Sequence, residues 1–257
     1  MMAKKKSVKK KEVLVDDKEY WKERHAKTAN LKASGVKSVG VKSNEYIYRI
    51  LADQYLKLLR SLDLKDVKTV LDCGFGDGYF LRFYQSYFPQ FNIFGVDISA
   101  DAKNKIDFVA KSKLYTSDLT KFNSKKKFDI VHSFDVMYHI LKSEDYVKTL
   151  NNMANLSNKY IILHERFLTR APLVSSKHVR MRRSEFTNQV LNSKGFYLHE
   201  EIPTHFLAMR MFTYKFNKVM PHSLYRLDKF IADNIHPSAQ EFLASHHIRV
   251  YARAPEA

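Results

Sequence analysis

Three features of this 257-residue chain predict an α/β fold built on a mostly parallel sheet. The first is Val70-Leu71-Asp72-Cys73-Gly74-Phe75-Gly76-Asp77-Gly78, an apolar run closed by an acid and followed by glycines at every second position. The second is the succession of short apolar runs separated by segments of helical periodicity. The third is the alternating stretch His247-Ile248-Arg249-Val250-Tyr251-Ala252-Arg253, the pattern of a half-buried strand. Strands alternating with helices form a sheet covered on both faces.

The elements follow in order. Residues 1–16 read as a basic tail, with Lys4, Lys5, Lys6, Lys9, Lys10 and Lys11 and no acid among the first eleven residues. Residues 17–257 form the folded domain, in which 17–66 supply entry helices and a lid. Tyr20-Trp21-Lys22-Glu23-Arg24-His25 opens an amphipathic piece, and 30–43 reads as a polar loop punctuated by Gly35 and Gly40. Asn44 is expected to cap a helix running to Ser61, because Ile47, Leu51, Tyr55, Leu58 and Leu62 recur at helical spacing. Strands are predicted at 68–73, 91–97, 112–116, 128–134, 158–164, 196–202 and 247–253. Ser143-Glu144-Asp145 is a helix start with acids in its first turn. A further helix over 184–193 ends at Gly195, a left-handed cap position. Residues 203–246 form an insertion that is helical around 222–235, with Leu224, Leu227, Phe230 and Ile231 on one face. With the entry helix, this insertion is expected to roof the pocket.

A strand, a glycine turn and a helix N-terminus together make a nucleotide pocket. The spacing G-x-G-x-G differs from the G-x-G-x-x-G of dinucleotide binders and points away from a dehydrogenase. Asp97 closes the second strand nineteen residues after Gly78, where its carboxylate can accept from two ribose hydroxyls. Ser117-Asp118-Leu119 and Phe128-Asp129-Ile130-Val131-His132-Ser133-Phe134-Asp135 follow in order.

This series resembles the class I S-adenosylmethionine-dependent methyltransferases. The resemblance implies a Rossmann-like three-layer sandwich of seven strands, mostly parallel, with an antiparallel last strand. It implies S-adenosylmethionine as cofactor, with Asp72, Gly74 and Gly76 at its methionine part, Asp97 and Ile98 at the ribose, and Asp118 and Leu119 at the adenine. Phe134 would present its backbone carbonyl to the cofactor amine. Asp135-Val136-Met137-Tyr138-His139-Ile140 and Lys177-His178-Val179-Arg180-Met181-Arg182-Arg183 are similar to segments of bacterial and archaeal methyltransferases associated with polysaccharide synthesis. So is the entry segment, Tyr20-Trp21 with Ser38-Val39-Gly40. On that resemblance His139, on a helix after strand four, is the candidate general base, with His164 and Glu165 as rivals. Tyr138, His178, Arg180 and Arg182 are candidate acceptor-binding residues.

Several chemistries are disfavoured. The place after strand four holds Ser133-Phe134-Asp135-Val136, without the prolines of base-amino methyltransferases. The single cysteine, Cys73, sits in the glycine turn and is no nucleophile for cytosine C5. Scattered histidines with one cysteine disfavour a zinc site, and His246 and His247 point to opposite faces of a strand. No apolar run approaches the ~20 residues of a membrane span. With no hydrophobic leader and no internal disulfide, a cytoplasmic setting is expected. The charge of 44 − 27 = +17 would give the tail weak attraction for anionic polymers or RNA. The function expected is methylation of a sugar, glycan or other small acceptor. An RNA methyltransferase and a non-catalytic cofactor-binding protein are the alternatives.

Overall fold

The computed structural model describes residues 17–28, 31–36, 39–167, 175–176, 178–209 and 214–255; the basic tail lies outside them, as do Ser38 and Lys177. Three helices lead in: α1 (Asp17–Lys27), α2 (Leu31–Ser34) and α3 (Val41–Ser61). The alternating unit follows as β1 (Thr69–Cys73), α4 (Tyr79–Tyr87), β2 (Asn92–Asp97), α5 (Ala100–Lys105), β3 (Leu114–Thr116), β4 (Phe128–Phe134), α6 (Ser143–Leu156) and β5 (Ser157–Glu165). A short hairpin, β6 (Ser175–Ser176) and β7 (Val179–Arg180), precedes α7 (Ser184–Asn192) and β8 (Phe196–Thr204). Then come α8 (Tyr214–Val219), α9 (Pro221–Asn234), α10 (Pro237–Leu243) and β9 (His246–Arg253).

Seven strands form one sheet in the order β3-β2-β1-β4-β5-β9-β8. The first five pair in parallel, and β9 runs antiparallel to both β5 and β8. The order reverses between β1 and β4, and ligands of such sheets bind at that switch point, beyond the carboxyl ends of the strands. Alternate residues feed opposite cores. Val70, Ile130, Ile162 and Val250 face α3 and α4, where Leu51, Tyr55, Leu58 and Leu81 are buried. Leu71, Val131, Ile161, Leu163 and Tyr251 face the other layer, with Tyr146, Leu150 and Leu191 of α6 and α7.

The structure departs from the sequence expectations at several points. The expected loop over 30–43 contains α2, and α3 begins at Val41 with Gly40 in the cap position. Asn44 is not the cap. It is buried inside the helix, where its Oδ1 accepts from the Val36 N–H (2.8 Å) and its Nδ2 donates to the Val36 carbonyl (3.2 Å). Ser143 is the first residue of α6, and the cap position belongs to Lys142. The segment after β4 is a single 3-10 turn, Met137–His139, rather than a helix. In α9 the buried side is Leu224, Tyr225, Asp228 and Ile231, while Leu227 and Phe230 point outward.

The insertion packs on α3, where Tyr225 donates to Asp53 (2.9 Å) and Lys57 pairs with Asp233. Its entry is fixed by Asp228, which is fully buried and accepts from the N–H groups of Phe206, Leu207 and Ala208 at 3.1, 2.7 and 3.2 Å. A carboxylate with three backbone donors is a strong local clamp, and removing it leaves those donors unsatisfied. Asp228→Ala should therefore destabilise the protein by on the order of 3 kcal/mol. Urea denaturation measures this; an unchanged midpoint would contradict the clamp.

Candidate active site

The glycine turn is held open by what packs against it. Gly74 has φ +89°, and a Cβ there would lie 2.4 Å from Cγ2 of Val136. Gly76 has φ +51°, and its Cβ would lie 2.4 Å from Oγ of Ser34. At these two positions both the conformation and the space require glycine. The turn is tied to β2 by Asp97, whose Oδ2 accepts from the Gly76 N–H and Oδ1 from the Ser99 N–H, both at 2.9 Å. Asp97 is 6% exposed, and burial raises its pKa to about 6 against the lowering effect of the Ser99, Gly76 and Ile98 N–H groups. A carboxylate has about four acceptor positions, so capacity remains for a further donor.

These residues line an open cleft of about 850 Å³, a volume that takes in solvent at its mouth. Gly74, Gly76, Asp97 and Ile98 form one wall, and Asp118, Leu119 and Thr120 close one end. Phe134, Asp135, Val136, His139 and Ile140 form the other end. The roof is Lys18, Trp21 and His25 of α1, Ser34 of α2 and Tyr48 of α3. No described residue of the insertion 203–246 lines the cleft, so the expectation that the insertion roofs it is corrected. Two acids latch the roof. Lys18 pairs with Asp118, and Ser34 donates its N–H (3.2 Å) and hydroxyl (2.8 Å) to Oδ2 of Asp77. Burial works against ionisation of Asp118, but Lys18 and the Thr120 N–H outweigh it and hold its carboxyl below the usual range.

The candidate residues fall into three groups. Gly74, Gly76, Asp97, Ile98, Asp118, Leu119, Phe134 and His139 all reach the cleft. Asp72 lines a smaller adjoining hollow, and burial, then Asp97, push its carboxyl well above the usual range. Tyr138, His164, Glu165, His178, Arg180 and Arg182 do not line the cleft. His178 contributes its backbone carbonyl, which accepts from Nδ1 of His139 at 2.7 Å. A carbonyl only accepts, so Nδ1 of His139 carries the proton and Nε2 keeps the lone pair. Burial lowers the His139 pKa to about 4, which leaves the ring neutral at pH 7. Arg180 and Arg182 hold the chain just beyond this histidine. Arg180 donates to the Leu141 carbonyl (2.9 Å), and Arg182, 4% exposed, donates to that of Ile140 (2.7 Å). Tyr138 leans its ring on His139, with centroids 4.5 Å apart. Glu165 is buried, which raises its pKa to about 8.

Asp135 is the residue that sequence reasoning missed. It has φ 58°, a left-handed conformation that a non-glycine residue adopts at a cost of about 1–3 kcal/mol. Its N–H donates to the His164 carbonyl (2.9 Å), which extends the β4–β5 ladder. Its Oδ1 lies 3.1 Å from Nδ1 of His164, an electrostatic contact without hydrogen-bond alignment. Behind it, His164 Nε2 meets Thr204 Oγ1 at 3.0 Å, and the rings of His205 and His246 lie 5.3 and 5.5 Å from that of His164. Burial opposes ionisation of Asp135, but the adjoining His164 holds its carboxyl well below the usual carboxylate range. The available signal was an acid directly after a fully buried strand end. Lys18 and Tyr48 carried no motif, Trp21 stood only in the entry segment without a site role, and all three reach the cleft through tertiary packing.

Among the described residues, one group of metal-ligand type is brought together, Glu201, Glu241 and His247. The Glu201 carboxylate is taken by Arg249 through bonds of 2.8 and 2.7 Å, and none of the three lines the cleft.

The comparisons agree with this architecture. Residues 43–201 match a family model described as a methyltransferase domain. No curated protein sequence matches the chain significantly. Among solved structures, magnesium protoporphyrin IX methyltransferase from Synechocystis PCC 6803 with bound S-adenosylmethionine is similar over 94% of this chain and 99% of that one, with TM-score 0.59 and 15% identity. The O-methyltransferase of a trans-AT polyketide synthase multienzyme from Brevibacillus brevis, in complex with S-adenosyl-L-homocysteine, gives TM-score 0.56 at 18% identity, covering 84% of this chain and 74% of that one. A chain in the complex between the Haloferax volcanii Trm112 methyltransferase activator and a methyltransferase gives 0.55 at 13%, covering 83% and 94%. Gly74, Gly76 and the buried acid beside them line the cleft, and that acid keeps acceptor capacity, so the residues present fit the cofactor of this family. The chain belongs to the S-adenosylmethionine-dependent class I methyltransferases.

Proposed function

We propose that this enzyme methylates a hydroxyl of a sugar, glycan or other small acceptor, with His139 taking the proton. One observation carries the reading: a neutral histidine of fixed tautomer and an ionised carboxylate share one end of the cleft whose other end holds Asp97 and Asp118. The bound cofactor supplies a methyl group already activated by its sulfonium. The chain's own residues then hold the cofactor and take the proton. Asp97 accepts from the ribose hydroxyls, and Asp118, released from Lys18, receives the adenine amino group. Phe134 offers its backbone carbonyl to the cofactor amine. Nε2 of His139 accepts the acceptor's proton, and the Asp135 carboxylate stabilises the imidazolium that results. An anion at that end also disfavours acceptors with a negative charge beside the reacting atom.

The roof supports a small acceptor or a chain end, because α1 closes over the cleft through Trp21 and His25. A polynucleotide acceptor is the second reading, favoured by the charge of +17. Transfer of radiolabelled methyl to sugar nucleotides and glycans, compared with tRNA and rRNA, separates the two. Labelling of RNA alone would overturn the proposal.

Three outcomes are expected. Asp97→Ala should weaken S-adenosylhomocysteine binding about a hundredfold, since two charge-assisted bonds worth on the order of 3 kcal/mol are lost. Calorimetry that finds wild-type affinity in the folded variant would remove Asp97 from the ribose site. Protonation of Asp97 removes acceptor capacity, so affinity should be constant above pH 7 and fall through about 6, by up to about tenfold per pH unit. A flat profile down to pH 5 would contradict this. His139→Ala should keep cofactor affinity and lose ~10²–10⁴-fold in turnover, with Asp135→Asn also impaired. Normal turnover of the His139 variant would assign the proton to another group.

A further inference from the structure

A buried chain of polar groups runs from α3 to Asp135. The Ile47 carbonyl on α3 accepts from Nε2 of His205 (3.0 Å), and Nδ1 of His205 meets Thr204 Oγ1 (3.3 Å). Thr204 Oγ1 in turn meets Nε2 of His164 (3.0 Å), whose Nδ1 lies 3.1 Å from Oδ1 of Asp135. Thr204, His164 and His205 are all buried. The backbone repeats the last tie, because the His164 carbonyl accepts from the Asp135 N–H (2.9 Å). Among the described residues, the two non-glycine positions with left-handed backbone are Asp135 and His205, at either end of this chain. Such strain persists where the surroundings fix it, and it gathers at functional sites.

The direction of the chain follows from its first member. A carbonyl only accepts, so Nε2 of His205 carries a proton. Burial lowers the His205 pKa to about 4, so at pH 7 its Nδ1 is a bare acceptor and takes the Thr204 hydroxyl proton. That hydroxyl, its one proton given, accepts from Nε2 of His164. With Nε2 protonated, Nδ1 attracts the Asp135 carboxylate only by carrying a second proton. The contact is then an imidazolium against a carboxylate. Elimination among the described residues agrees. The groups that face Asp135 are His164 and Glu165 of β5, His246 of β9, His205 after β8, Tyr138 and His139 of the turn after β4, and Tyr48 of α3. Burial keeps His139, His205 and His246 neutral at pH 7 and both phenols protonated, and with a pKa of about 8 Glu165 keeps its proton. His164 is the group that remains to oppose the desolvation of Asp135.

We propose that His164 is a positioning residue for methyl transfer: seated by Thr204 and His205, its ring is the protonated partner that keeps the Asp135 carboxylate charged at the acceptor end of the cleft. The proposal rests on the role given above to Asp135 beside His139. The full chain, saturated with S-adenosylhomocysteine and labelled with ¹³C in its aspartate carboxyls and ¹⁵N in its histidine rings, reads both charges by NMR. The wild type should show both nitrogens of His164 protonated at pH 7, and an Asp135 carboxyl still ionised at the ordinary aspartate value of about 3.9. In His164→Leu burial acts unopposed, and Asp135 should take up its proton about 1–3 pH units higher. Thr204→Val should move it in the same direction, and His164→Asn, whose amide N–H can stand in for Nδ1, should restore part of the wild-type behaviour. A side chain that only fills space would leave the titration of Asp135 where it is. A His164→Leu protein that binds S-adenosylhomocysteine and keeps the wild-type titration would overturn the proposal. So would a wild-type His164 with Nε2 bare, a result that needs no variant to fold. Turnover with the acceptor found by methyl labelling should fall roughly tenfold or more in His164→Leu, with KM little changed. An impaired Asp135→Asn beside a fully active His164→Leu would overturn this proposal alone. A fully active Asp135→Asn would overturn the earlier reading of Asp135, and the part of His164 in transfer with it.

Discussion

The site depends first on the carboxylate of Asp97. Strand β2 ends on it, the glycine turn after β1 donates to one of its oxygens through Gly76, and the start of α5 donates to the other through Ser99. Ser99 in turn caps α5 by accepting from the Ala102 N–H at 3.2 Å. One buried acid thus joins two strand ends and a helix start, and everything the cleft does is referred to that junction. Desolvation works against the charge, while the backbone donors Ser99, Gly76 and Ile98 work for it. The balance leaves the group ionised at neutral pH and poised to lose that charge in mild acid.

The opposite end of the cleft repeats the pattern at higher cost. Asp135 sits in a left-handed conformation, beside a core of histidines that are nearly or fully buried. His205 is itself held neutral, with a pKa lowered to about 4 by burial. Strain and desolvation of this kind survive where the surrounding structure fixes them, and they cluster at functional sites. Here the fixing groups come from β5, from the end of β8 and from β9, the last strand of the chain. The antiparallel edge of the sheet therefore supports the Asp135 end of the cleft, and the parallel part supports Asp97 and the glycine turn.

Much of this was legible in the sequence because it is local. The glycine turn, the acids that end β2 and follow β3, and the alternation of β9 are each contained in a few consecutive residues. Strand positions followed to within about two residues, since buried parallel strands are continuous apolar runs. What could not be read depends on tertiary geometry. Asn44 looks like a cap because its side chain suits one, yet it bonds to Val36 from inside α3. Leu227 and Phe230 fit a buried stripe by spacing, but α9 turns Asp228 inward to satisfy three N–H groups, and those two residues are left outside. Arg180 and Arg182 read as acceptor-binding groups, and in the structure both guanidinium groups donate to backbone carbonyls at 140–141. Asp135 lay in a quoted motif, but its meaning came only when β4, β5 and β9 set His164 and His246 behind it.

The central claim is that the Asp97 carboxylate holds the ribose of the cofactor from a junction that also builds the glycine turn. A double-mutant cycle tests it directly, with calorimetric affinities of wild type and Asp97→Asn for S-adenosylhomocysteine and for its analogue lacking both ribose hydroxyls. The account predicts that the wild type discriminates strongly between the two ligands and the variant much less, a coupling of roughly 1.5–3 kcal/mol. Equal discrimination by both proteins would contradict it.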